Sequence, residues 1–158
     1  MATIGFSGGA ALEARLKEIA KRAGEAGTLQ VGFMAGSTYP DGTSVPMVAA
    51  IQNYGAPAAG IPPRPFFTNM VRDKSPTWAE SLGNIAVATD YDMKMTLGHL
   101  GEGIGGQLIE SIIGFDSVPL ADSTVARKGF DKQLVNTGHM KNSVYYKVGD
   151  DDQKHVEP

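Results

Sequence analysis

Met93, Leu97, Leu100, Ile104, Leu108 and Ile112 recur at spacings of three and four residues, the strongest periodic run in the chain. A stripe of that length commits the region 91–113 to an amphipathic helix of about six turns. The same region carries glycines at positions 98, 101, 103, 105 and 106. Each costs up to about 1 kcal/mol relative to alanine inside a helix. Such density calls for a close approach by another backbone, a helix that bends or re-forms during assembly, or a simple break near Gly101.

The other elements rest on shorter patterns. Leu12, Leu16, Ile19, Ala20 and Ala23 share one helical face over 9–23, with Glu13–Lys17 and Glu18–Arg22 four apart and acid first on the outer side. Leu29, Val31 and Phe33 alternate as a strand with one buried face. A turn-rich loop over 36–44 contains Tyr39-Pro40-Asp41-Gly42, after which Ser44 can cap a helix that tolerates an early Pro46. Met47, Val48, Ile51 and Tyr54 form the expected inward stripe of that helix, and Gly55 closes it. Residues 56–65 read as an extended loop without regular pairing. Phe66, Phe67, Met70, Val71, Trp78 and Leu82 indicate helical burial, as two short helices or as one that breaks at Pro76. Residues 119–128 read as a loop leading to a short helix capped by Asp122 or Ser123. A strand is expected over 143–148, with Val144, Tyr146 and Val148 on one face. These elements make an α+β fold: a small antiparallel β-sheet against several α-helices with long mobile loops, in a single domain over 1–150. Residues 151–158 form a polar, frayed tail.

Composition narrows the function classes. The 158 residues suffice for one core. A net charge of −3 argues against general binding to nucleic-acid backbones, although Arg127, Lys128 and Lys132 make a small local basic cluster. Without cysteine there is no disulfide, thiol nucleophile or thiolate metal site, which favours the cytosol. No stretch has the length of a membrane span, and no basic-then-apolar leader opens the chain. It reads as soluble and unprocessed.

Catalytic patterns are sparse. His99, His139 and His155 have no metal-ligand spacing, and neither metal nor cofactor is expected. His139 with Asp131 or Asp116 is the least poor acid–base set, without a triad offset. Asp90 and Asp92 border a loop, and 150–152 is an acidic end without the spaced ligands of a calcium loop. The run Gly101-Glu102-Gly103-Ile104-Gly105-Gly106 lacks both the lysine and the preceding strand of a phosphate loop. The chain is therefore expected not to be an enzyme.

The segment Ile61-Pro62-Pro63-Arg64-Pro65-Phe66-Phe67, after Asn53-Tyr54-Gly55, suggests a surface to be gripped by a neighbour. Three prolines in four positions stiffen the backbone around Arg64. That arginine reads either as an exposed or internally paired side chain or as an intersubunit contact on a rigid mount. Phe66 and Phe67 read as core.

Taken in order, Val31-Gly32-Phe33, Tyr39-Pro40-Asp41-Gly42-Thr43, Val48-Ala49-Ala50-Ile51-Gln52-Asn53-Tyr54-Gly55 and the proline segment resemble the tailed-phage neck and tail-completion proteins of the HK97 gp10-like group. The likeness continues through Gly101 to Ile112, Pro119-Leu120, Thr124, Lys128-Gly129, Leu134-Val135-Asn136-Thr137-Gly138 and Ser143-Val144-Tyr145-Tyr146-Lys147-Val148. The glycine density over 98–106 departs from the pattern. The resemblance implies a virion structural protein of head–tail joining or tail completion, made in the host cytoplasm. It implies a homo-oligomeric ring, hexameric or matched to the portal and tail axis, at the neck or the head-proximal end of the tail tube. Partners would be the head–tail connector and the tail tube or tail terminator, with DNA passing through the ring and no membrane involved. Interface candidates are Tyr39, Asp41, Asn53, Tyr54, Ile61 and Arg64, on the contact loops 36–46 and 56–65. An assembly factor absent from the mature virion and a DNA-binding module are the alternatives.

Overall fold

A computed structural model describes residues 9–24, 27–33, 35–116, 134 and 138–157. The expected helix over 119–128, the cluster of Arg127, Lys128 and Lys132, and Asp131 lie outside them. Among the described residues the fold is α+β, four helices with one three-stranded antiparallel sheet.

The central element is the periodic one, the helix of Met93–Gly114, which runs through all its interior glycines without a break. Asp92 caps it, its Oδ1 accepting from the Met95 amide at 2.9 Å. Leu97, Ile104, Leu108 and Ile112 are buried along one side. The sheet lies directly on this helix, and that contact explains two of the glycines. A Cβ on Gly101 would stand 2.7 Å from Leu29 Cδ1 and 2.8 Å from the Tyr146 ring, and one on Gly105 would stand 2.5 Å from Val156 Cγ2. Gly98, Gly103 and Gly106 face no such neighbour. Gly103→Ala is expected to raise stability by about 1 kcal/mol through helix propensity, whereas Gly105→Ala should lower it by about 1–3 kcal/mol through overpacking. Urea melts of the two variants read the opposite signs.

In chain order, α1 is Gly9–Gly24, β1 Leu29–Gly32, α2 Val45–Tyr54, α3 Phe66–Ala88, α4 the central helix, β2 Tyr145–Val148 and β3 Lys154–His155. β1 pairs antiparallel with β2 (Leu29 opposite Val148, Val31 opposite Tyr146), and β2 with β3. Val144, Tyr146 and Val148 are all buried, as their alternation requires. α3 and α4 form an antiparallel hairpin. Trp78 Nε1 donates to Gln107 Oε1 at 2.9 Å, and Ser111 Oγ donates to the Phe66 carbonyl at 2.7 Å. α3 is one helix through Pro76, which sits on its exposed side. The turn between them places Asp90 (φ 53°) and Tyr91 (φ 62°) in the left-handed region.

Besides the break expected at Pro76, which α3 runs through, four expectations need correction. The 56–65 segment is paired: Ala56 and Ile61 exchange backbone hydrogen bonds around a 3-10 turn at Pro57–Ala59. Residues 151–157 are not frayed, because β3 joins the sheet and Val156, 2% exposed, packs against Gly105. α2 buries Val45, Ala49 and Asn53, leaving Met47 and Tyr54 exposed. Its stripe runs along the small Ala49 and the polar Asn53, which has work to do inside, and not along the largest apolar side chains. α1 buries no residue, and Leu12 and Leu16 are each 57% exposed. The helix is tied down by charge instead. Arg15 and Arg22 both bind the Asp90 carboxylate, and both also pair with Glu18 on their own helix. Exposed pairs of this kind contribute about 1 kcal/mol or less each.

Candidate interaction surface

The junction between α2 and α3 is built around side chains that the sequence nominated as contacts. α3 begins after Pro65, which supplies no side-chain cap, so its first amides need an acceptor from elsewhere. Asn53 provides it: Oδ1 accepts from the Phe67 and Thr68 amides, both at 3.1 Å, while Nδ2 donates to Thr68 Oγ1 at 2.7 Å. At 4% exposed, Asn53 is a buried fold residue.

Arg64 is buried as well, 7% exposed, and is not presented to solvent by its proline mount. Its amide donates to the Gln52 carbonyl at 2.7 Å, and its Nη1 donates to Gln52 Oε1 at 3.0 Å. Among the described residues Nε has no hydrogen-bond partner and no carboxylate pairs with the guanidinium. Arg64→Ala, which removes the packed stem and the Gln52 bond, should therefore lower stability by about 1–3 kcal/mol. Arg64→Met keeps the stem and removes the unpaired charge, so it should be roughly neutral. Denaturant midpoints of the two variants decide whether packing or charge holds this junction.

The remaining candidates are more open. Tyr54 is 73% exposed, Ile61 is half-buried at its bridge to Ala56, and Asp41 is exposed at the tip of its turn. Asp41 Oδ1 accepts from the Thr43 amide at 2.9 Å, and that bond holds its carboxyl below the usual range. Tyr39 stacks on His139 with ring centroids 4.9 Å apart, and burial pushes its phenol up, with Asp41 adding to the shift. His139 Nε2 also lies 2.8 Å from the Thr38 carbonyl. The structure therefore ties His139 to the 36–44 loop. The glycines over 101–106 spend their amides inside α4, so they form no phosphate cradle. Among the described residues no group of three histidines, cysteines or carboxylates could hold a metal, and no helix is long and apolar enough to cross a membrane.

A second surface escaped the sequence reading. Between β1 and α2 opens an apolar cleft of about 370 Å³, walled by Val31, Phe33, Pro46, Ala49, Ala50 and Phe67, with Tyr54 at its side. One wall is a sheet edge. Thr28 accepts from the Gly149 amide at 2.7 Å, so by antiparallel alternation Gln30 and Gly32 bond to β2. The amides and carbonyls of Leu29 and Val31 then point outward, and among the described residues nothing pairs with them. The signal that could have found this edge is β1 itself, a short alternating strand that among the described residues is paired on one side only.

No known protein family, curated protein or solved structure matches this chain.

Proposed function

We propose that the protein is a non-catalytic assembly subunit of the tailed-phage neck or tail-completion kind, which docks head-to-tail onto copies of itself and closes into a ring. One observation carries this reading: among the described residues, two apolar surfaces at opposite ends of α3 have no partner. The cleft lies beside Phe66 and Phe67 at its start, and the exposed Leu12 and Leu16 belong to a helix clamped on Asp90, just past its end. Two different surfaces far apart on one subunit make a heterologous contact, which closes into a ring when the rotation between copies divides a full turn. Exposed apolar patches of this kind mark interaction sites. The resemblance of the loop and proline segments to neck proteins supplies the setting: a virion location, connector and tail proteins as further partners, and DNA passing along the ring axis.

The free subunit is expected to associate weakly, since each contact must offset the loss of rotational and translational freedom. Sedimentation velocity over a broad concentration range tests it. The intact chain should show growing species, and Leu12→Asp with Leu16→Asp should abolish them without moving the thermal midpoint. A chain that stays monomeric throughout, or association indifferent to those substitutions, contradicts the reading.

A further inference from the structure

The cleft and the open edge of β1 belong to one feature, an exposed strand with an apolar trough along it. Such a site takes an extended segment as an added strand, its backbone bonding to the edge and alternate side chains entering the trough. Here the outward amides and carbonyls of Leu29 and Val31 give the bonding rail. Phe33, Pro46, Ala50 and Phe67 give the pockets.

We infer that the occupant is residues 2–7 of a second copy of this chain, which rests on the head-to-tail contact proposed for the ring. That segment, Ala2-Thr3-Ile4-Gly5-Phe6-Ser7, precedes α1 outside the described residues. It alternates apolar with small or polar side chains, so Ile4 and Phe6 fall on the same face of a strand. Its reach selects the second copy. α3 spans 23 residues, about 34 Å, from Phe66 at the cleft toward Asp90, where α1 is clamped. α1 is held at Asp90 through Arg15 and Arg22, and Gly9 lies six helical residues, about 9 Å, beyond Arg15. Five extended residues carry Ile4 at most about 17 Å beyond Gly9. That falls short of the molecule's own cleft and suits a neighbour's.

The absence of native cysteine makes the test direct. Full-length Ile4→Cys is mixed with full-length Ala50→Cys under mild oxidation, with Glu80→Cys on the exposed face of α3 as the control partner. The expected result is a disulfide-linked pair of Ile4→Cys with Ala50→Cys at least roughly tenfold above the control. The chain lacking residues 2–7 should keep its thermal midpoint and lose self-association by a similar factor. An intramolecular bridge in the double variant at high dilution overturns the second-copy assignment. Cross-linking no better than the control, while the intact chain still associates on sedimentation, overturns the arm and leaves the ring reading standing. No cross-link and no association at any concentration overturns both.

Discussion

Gly55→Ala should destabilise the protein by about 3 kcal/mol or more through the backbone. Gly55 ends α2 at φ 76°, ψ 173°, a region open essentially to glycine alone. Space is closed too. An added Cβ would stand 2.8 Å from the Pro63 nitrogen and 2.9 Å from the Ile61 carbonyl oxygen, both backbone atoms. Neither can rotate aside, because Ile61 is bridged to Ala56 and prolines at 62, 63 and 65 stiffen the backbone beyond it. Gly60→Ala is the matched control: φ 67°, ψ 22°, with nothing within 4 Å of a new Cβ. It should cost about 1–2 kcal/mol from the left-handed conformation alone. A denaturant series in which Gly55→Ala loses no more than Gly60→Ala would show that the Pro63 approach can relax.

Phe66→Ala is the second large effect, about 3–5 kcal/mol. The ring is fully buried, meets Phe33 edge-on at 6.4 Å, and opens α3 where Asn53 caps it and Ser111 bonds its carbonyl. A domain of this size holds about 5–15 kcal/mol in all, so the variant should approach the unfolding threshold at physiological temperature. Phe66→Leu keeps most of the volume and should lose about half as much or less. Because Phe66 also backs the cleft, the milder variant is the useful one for association. It should weaken self-docking while the fold persists, and equal melting of Phe66→Ala and the parent chain would remove Phe66 from the core.

How legible this was depends on the range of the interactions involved. α4, β1 and β2 were readable because their periodicity records the burial of one face at the contact between helix and sheet. The glycines of α4 were readable as a puzzle, and only the positions of Leu29, Tyr146 and Val156 against Gly101 and Gly105 resolve two of them. α2 misled because its size ranking pointed to Met47 and Tyr54, while a polar group was needed inside to cap a helix fourteen residues later. Arg64 misled for a similar reason: a proline mount suggested display, whereas the backbone bond to Gln52 turns the side chain inward. The apolar face of α1 was legible as a face, but nothing local says that it stays uncovered. The cleft is a product of the β1–α2 juxtaposition and leaves no trace in either segment alone.

The proposed ring depends on a heterologous, self-closing contact between the cleft of one subunit and the α1 end of the next. Electron-microscopic imaging of the associated species, with a gold label on a cysteine placed at Glu80, decides it. The expected result is a closed ring with one label per subunit at a constant angular step. A two-fold dimer with clefts face to face, or rings in which every cleft stays open to solvent, would contradict it.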